Sequence, residues 1–186
     1  MRYILASASP RRKELLKKIV KTFRVVPSAI DERRIRAKEP VTLALKTALA
    51  KALDVAQKYR TATVIGADTI VVLGKNVLGK PKDKKDAVRM LKSLCGRTHK
   101  VITGLALVDL AANKISTAFA VTRVKMKKVP DKEIKEYVAS GRPLDKAGAY
   151  GIQEIEEIFI DRIDGDYDNV VGLPLWLLKS ILRPSE

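Results

Sequence analysis

Tyr3-Ile4-Leu5-Ala6-Ser7-Ala8-Ser9-Pro10-Arg11-Arg12 passes from an apolar run directly into a helix start. Tyr3 to Ala6 has the length and character of a short buried strand. Ser9 is suited to cap the first free amides of a helix, and Pro10 suits the first helical position, where its missing N–H costs nothing. Leu15, Leu16 and Ile19 then supply an apolar face. A strand that feeds a helix through a short turn is the building unit of an α/β fold.

The same alternation extends along the chain. Phe23 to Val26 reads as a second strand, and the charged stretch Asp31 to Pro40 as an exposed loop. Thr42 to Tyr59 is the clearest helix, with Leu45, Ala48, Leu49, Ala52, Leu53 and Ala56 at helical spacing and Lys51 off that stripe. Thr63 to Ile65 and Ile70 to Leu73 read as strand, interrupted by Gly66-Ala67-Asp68-Thr69. Ala87, Met90, Leu91 and Leu94 mark a helix entered after Pro81 and left at Gly96. Val101 to Asp109 and Ile115 to Lys127 read as strands. In the second, Ala120, Thr122, Val124 and Met126 alternate with Val121, Arg123, Lys125 and Lys127, which predicts a half-buried, curved sheet. Asp131 to Ser140 is a helix with Ile134, Tyr137 and Val138 inward and Gly141 as its stop. Phe159 to Ile163 reads as strand, and Pro174 opens a last helix with Leu175, Leu178 and Leu182 on one face. The expected fold is α/β, with a long central mixed sheet flanked by helices, as one domain over 1–186.

Composition narrows the function classes. With 186 residues and 46% hydrophobic content, the chain can bury a sizeable core without staples. Its 37 Lys+Arg against 21 Asp+Glu give a net charge of +16, which attracts phosphorylated molecules, nucleic acid or acidic membranes. The competing reading is a lysine-rich solvated surface. Only 5% of residues are aromatic, a poor supply for stacking nucleobases of single strands, so nucleic-acid binding ranks behind small phosphorylated ligands. Cys95 is the one cysteine, so no intrachain disulfide forms and a reducing, cytoplasmic setting is expected. No apolar run approaches the roughly 20 residues of a membrane span. A homodimer is the base-rate expectation.

Four stretches carry candidate chemistry. Ser7 to Arg12 puts helix N–H groups and two guanidinium groups together, which suits phosphate, and reads equally as an ordinary capped helix. Asp68, in Gly66-Ala67-Asp68-Thr69, offers a carboxylate for a divalent metal or a water proton; the alternative is a turn in which it bonds its own backbone. Gly74 to Lys80 imitates the start of a P-loop, but Pro81 stands where Ser or Thr is needed and the spacing reads as strand, so that motif is rejected. Lys80 remains either a phosphate contact or a turn lysine. Asp145 to Gln153 has two glycines and two alanines that let backbone approach a ligand, and Gln153 both donates and accepts; otherwise it is a tight loop. His99 is the one histidine and reads as structural, which leaves little for a histidine triad or zinc site, and Cys95 reads as a core residue.

In order, Leu5 to Arg12, Asp31-Glu32, Ala50-Lys51-Ala52, Gly66 to Thr69, Gly79-Lys80-Pro81, Gly96 to His99, Thr103-Gly104, Asp145 to Gln153 and Val170 to Leu175 resemble the Maf family of nucleotide pyrophosphatases. The resemblance covers nearly the whole chain. It implies a Maf/inosine-triphosphatase-like fold of two lobes around a cleft, and hydrolysis of nucleoside triphosphates between the α and β phosphates. It implies Asp68 as proton acceptor, Glu32 and Asp68 as a metal-facing pair for Mg2+, Mn2+ or Co2+, and Ser7, Arg12, Lys51 and Lys80 as the phosphate-binding set. Arg11, Thr69 and Gln153 match the positions that separate subfamilies, in the combination of the branch acting on dTTP and UTP rather than 7-methyl-GTP. CTP and modified pyrimidine nucleotides are the neighbouring candidates. A link to septum formation also comes with the resemblance and favours the competing reading of a basic interaction protein. Glu154 departs from the pattern, because many relatives carry glycine there.

Overall fold

The computed structural model describes residues 2–182. The chain runs β1 (Tyr3–Leu5), α1 (Pro10–Lys17), β2 (Arg24–Val25), α2 (Pro40–Ala56), β3 (Thr63–Leu73), β4 (Asn76–Leu78) and α3 (Lys84–Leu94). It continues with β5 (Thr98–Asp109), β6 (Lys114–Met126), α4 (Asp131–Ala139), α5 (Ile152–Phe159), β7 (Ile160–Asp164), α6 (Tyr167–Val171) and α7 (Leu175–Leu182). The strands form a mixed sheet of order β2-β1-β3-β5-β6-β7, with β4 also on β3. β1 is parallel to β2 and β3, with Tyr3 opposite Thr63 and Leu5 opposite Ile65. β4 on β3 and β7 on β6 are antiparallel, and β7 bulges at Asp161, between the pairs Lys125–Arg162 and Met126–Ile160. This is the expected α/β class. No helix among the described residues is long and apolar enough to cross a membrane.

The chain divides into two compact units. The first holds described residues 2–69, 102–120 and 168–182. Its core joins Ile4 and Ala6 of the β1 segment, Ala48, Ala52 and Val55 of α2, Val64 of β3, and Ala106 and Val108 of β5. Small residues dominate because α2 lies backbone-close on the sheet. A Cβ on Gly104 would stand 2.5 Å from the Ala44 carbonyl carbon, and one on Gly66 would collide with the Ala48 carbonyl oxygen. Glycine in these two strands is therefore a packing requirement.

The second unit holds Ile70–Val101 and Val121–Tyr167. Here α3 buries Ala87, Met90, Leu91 and Leu94, and α4 buries Ile134, Tyr137 and Val138. The predicted alternation on β6 holds: Thr122, Val124 and Met126 are buried while Val121, Arg123 and Lys125 are exposed.

Four expectations are corrected. β3 is unbroken through residues 66–69, because β5 alongside completes its ladder and overrides the turn-like composition. The buried stripe of α2 is Ala44, Thr47, Ala48, Lys51, Ala52, Val55 and Ala56, so Lys51 lies on it, and the larger Leu45, Leu49 and Leu53 are only half-buried. Gln153 and Phe159 belong to helix α5 rather than to a loop and a strand. Cys95 is half-buried at the end of α3. Helix α6, too short for a periodic signal, is an addition.

Candidate functional site

The first unit gathers the charged and hydroxyl groups. α1 starts as its sequence dictates: Ser9 accepts from the Arg12 amide at 3.4 Å, with Pro10 in the first turn. The buried Ser7 hydroxyl accepts from the Ser9 amide at 3.2 Å. This fixes the helix so that Arg12 projects inward. Its guanidinium donates through Nε to the Gly172 carbonyl at 2.8 Å, through Nη1 to Ser7 Oγ at 3.3 Å and through Nη2 to Thr69 Oγ1 at 2.9 Å. These bonds use three of the five N–H groups of an arginine, so an incoming phosphate meets at most two. Burial lowers the Arg12 pKa, and the nearby Asp68 and Glu32 partly restore it.

Asp68 and Thr69 are neighbours on β3 and therefore face opposite sides of the sheet. Asp68 faces α2, as does Gly66. Its Oδ1 accepts from Lys51 Nζ at 2.8 Å, and Lys51 also pairs with Glu32 Oε1 at 3.0 Å. Lys51 and Asp68 side chains are 10% and 11% exposed, whereas Glu32, on a short 3-10 turn, is 53% exposed. Burial raises the Asp68 pKa above the ordinary 3.8, Lys51 and Arg12 oppose the rise, and Glu32 adds to it. Each carboxylate has a second oxygen beyond the one Lys51 holds. The site thus sets two cations, Arg12 and Lys51, against two carboxylates.

On the opposite face, Thr69 Oγ1 lies 2.9 Å from Thr103 Oγ1 of β5, which donates to the Asn169 carbonyl at 3.1 Å. Thr103 and Gly172 stand in motif stretches of the sequence with no individual role assigned, and Asn169 lies just before one of them. The signal for them is sheet pairing and chain return, which no local spacing encodes.

Structure thus brings Ser7, Arg12, Glu32, Lys51, Asp68 and Thr69 together within one unit, with Arg11 half-buried beside Arg12 on α1. Lys80 and Gln153 belong to the other unit, and both are exposed. Their segments are tied there: the Gly148 amide donates to the Gly79 carbonyl at 3.0 Å, and a Cβ on Gly148, at φ 69°, would press on Val71. Glu154 next to Gln153 accepts from the Tyr137 hydroxyl at 2.7 Å and pairs with the buried Lys146 at 3.2 Å. Tyr137 also accepts from the Gly151 amide at 3.1 Å, so the departure at Glu154 is built into the start of α5. His99 is buried, with Nε2 2.7 Å from the Tyr150 hydroxyl, and burial pushes its pKa down to about 4. It takes the structural role expected. A cavity of about 600 Å3 lined by Arg2, Tyr3, Ile19, Lys21, Lys179 and Leu182 contains none of the candidate residues.

Among the described residues, no group of three or more His, Cys, Asp or Glu gathers to hold a metal. Glu32 and Asp68 are a two-carboxylate, oxygen-only set. That fits a hard cation of the Mg2+ type, which keeps several waters and binds through one or two carboxylates plus substrate phosphates.

Comparison with known proteins adds three findings. A family model described as Maf-like protein matches residues 2–185. A dTTP/UTP pyrophosphatase of Dictyoglomus turgidum is 47% identical over 181 residues, 97% of this chain and 94% of the relative. One of Clostridium botulinum is 48% identical over 183 residues, 96% of this chain and 94% of the relative. Among solved structures, a HAM1 protein from Coxiella burnetii superposes with TM-score 0.55 at 16% identity over 98% of both chains. The Ham1 protein of Staphylococcus aureus gives 0.50 at 13% over 98% of both. These structural likenesses speak to the fold alone.

Proposed function

The chain belongs to the Maf-like protein family, and from that premise we propose that it hydrolyses dTTP and UTP to the monophosphate and pyrophosphate. The observation that carries the reading is the buried Asp68, held by Lys51 beside Glu32, with the Arg12 guanidinium near. A triphosphate brings about four negative charges, which a strongly basic chain attracts and guanidinium and ammonium groups bind. Ser7, Arg12, Lys51 and Lys80 are the proposed phosphate contacts. Arg11, Thr69 and Gln153 are the proposed specificity positions.

In the proposed reaction a water oxygen bonds to the α phosphorus, the bond to the α–β bridging oxygen breaks, and pyrophosphate leaves. Lys51 fixes Asp68 through Oδ1, so the carboxylate accepts the water proton at Oδ2. Its raised pKa makes it a better base than an exposed carboxylate. Glu32 and Asp68 would hold a divalent ion, Mg2+, Mn2+ or Co2+, which when bound offsets the charge of the phosphates beside two carboxylates. The proposal includes a cytosolic setting, in keeping with one unpaired cysteine, and free nucleotides as substrates.

The test is pyrophosphate release across a nucleotide panel, with Mg2+ and then with excess chelator. Chelator-sensitive release, fastest with dTTP and UTP, is the expected result. Asp68→Asn is expected to lose at least about a hundredfold in kcat, the scale of a general base, with its melting temperature kept. Turnover near wild type in that variant removes Asp68 from the mechanism.

A further inference from the structure

Arg12, Thr69, Thr103 and the Asn169 carbonyl form a continuous chain of hydrogen bonds, at 2.9, 2.9 and 3.1 Å. Both ends have a fixed sense. A guanidinium only donates, and a carbonyl oxygen only accepts. Thr103 has one hydroxyl proton, and the Asn169 carbonyl takes it; with that proton elsewhere, two oxygens would face each other at 3.1 Å with nothing between them. Thr103 must then accept from Thr69. Thr69 gives its own proton to Thr103 and receives one from Arg12. The proton positions follow in one direction from Arg12 to Asn169, and bonds aligned this way reinforce one another.

A hydroxyl has one proton and two lone pairs. In Thr69 the proton points at Thr103 and one lone pair at Arg12, so what remains for a ligand is a lone pair. Thr69 is half-buried, while Thr103 is fully buried. A phosphate oxygen at neutral pH brings only lone pairs and finds no donor on Thr69 itself, only on the neighbouring Arg12. A group with N–H is attracted. Uracil and thymine carry N–H at N3, whereas cytosine carries a lone pair at N3 and its N–H groups on the exocyclic N4, so the discrimination is for a ligand that presents N3 to Thr69.

We propose that Thr103 is a positioning residue that makes Thr69 an acceptor-only group, so that Thr69 selects pyrimidine nucleotides bearing an N3–H over cytosine nucleotides. The proposal deepens the dTTP/UTP reading and rests on it. Thr103 acts entirely through Thr69 and touches no substrate.

The experiment measures kcat/KM for UTP and CTP in wild type, Thr103→Val, Thr103→Ser, Thr69→Val and the double valine variant. Wild type is expected to favour UTP. Thr103→Val frees the Thr69 proton and should cut the UTP:CTP ratio about tenfold, the scale of one hydrogen bond gained or lost. Thr103→Ser keeps the hydroxyl and should keep the ratio. Thr69→Val should cut it as far as Thr103→Val, and the double variant no further, because the two act as one unit. The proposal is overturned by equal use of UTP and CTP in wild type, or by a folded Thr103→Val variant with the wild-type ratio. Equal losses for both nucleotides, a serine variant that follows valine, or additive effects overturn it as well. If Thr103→Val does not fold, Thr69→Val decides: an unchanged ratio there is equally fatal. A wild type that releases pyrophosphate from no nucleotide ends the functional reading and this proposal together. An active wild type with an unmoved ratio ends the proposal alone.

Discussion

Asp68 and Thr69 are adjacent in the chain and live in different chemistry, because a strand sends neighbours to opposite faces. Asp68 must be ionised to accept a proton, and burial raises its pKa. Activity is therefore expected to fall as Asp68 protonates at low pH; burial alone sets that acid limb of kcat/KM above an ordinary carboxylate's, and a divalent ion held by Asp68 draws it back down. Lys51 opposes the rise, so Lys51→Met should move the acid limb to still higher pH; a limb that stays in place would remove Lys51 as the tuning group. His99 gives a second pH prediction. Its pKa is depressed from 6.5 to about 4, so the neutral ring stabilises the fold above pH 6.5. This contribution, about 3 kcal/mol, is lost as pH falls from 6.5 through about 4. It is the one histidine in the chain, so its ring signal in an NMR titration is unambiguous, and it should not protonate above about pH 5.

At the scale of elements, the glycine contacts under α2 make a direct prediction. Gly104→Ala should destabilise the protein by about 2 kcal/mol, because overpacking presses a methyl group into helix backbone. Denaturant melts of this variant against Gly79→Ala, where a Cβ meets nothing within 4 Å, would measure it. Helices were legible where caps and apolar spacing coincide. Ser9 and Pro10 started α1, and Ile134, Tyr137 and Val138 fixed the buried face of α4. The reading failed where neighbours in space decide. Gly66 to Thr69 has turn composition and is strand because β5 lies beside it. Lys51 scored as a surface residue because charge counts as polar in any periodicity, whereas Asp68 and Glu32 supply the partners that let it be buried.

For the molecule as a whole, a net charge of +16 predicts electrostatic attraction of a polyanionic substrate. Raising salt from about 50 to 300 mM should raise KM several-fold with kcat nearly unchanged, since screening acts on encounter. A salt-independent KM would make the basic surface a solvated shell with no part in substrate capture. The candidate residues were legible as ordered motifs, but their grouping was not. Ser7, Arg12, Glu32, Lys51, Asp68 and Thr69 come from four separate stretches that only the fold assembles, and Lys80 and Gln153 fall in the other unit. The backbone contact between α2 and the sheet also sets a clock. Amides of α2 pressed on Gly66 and Gly104 open only with deep unfolding and should be among the last to exchange with deuterium. Those of the exposed 3-10 turn at Glu32–Arg34 should exchange within the first time points. Slow exchange around Lys51 and Asp68 with fast exchange at Glu32 would mean that the acidic pair has one permanent member and one visitor.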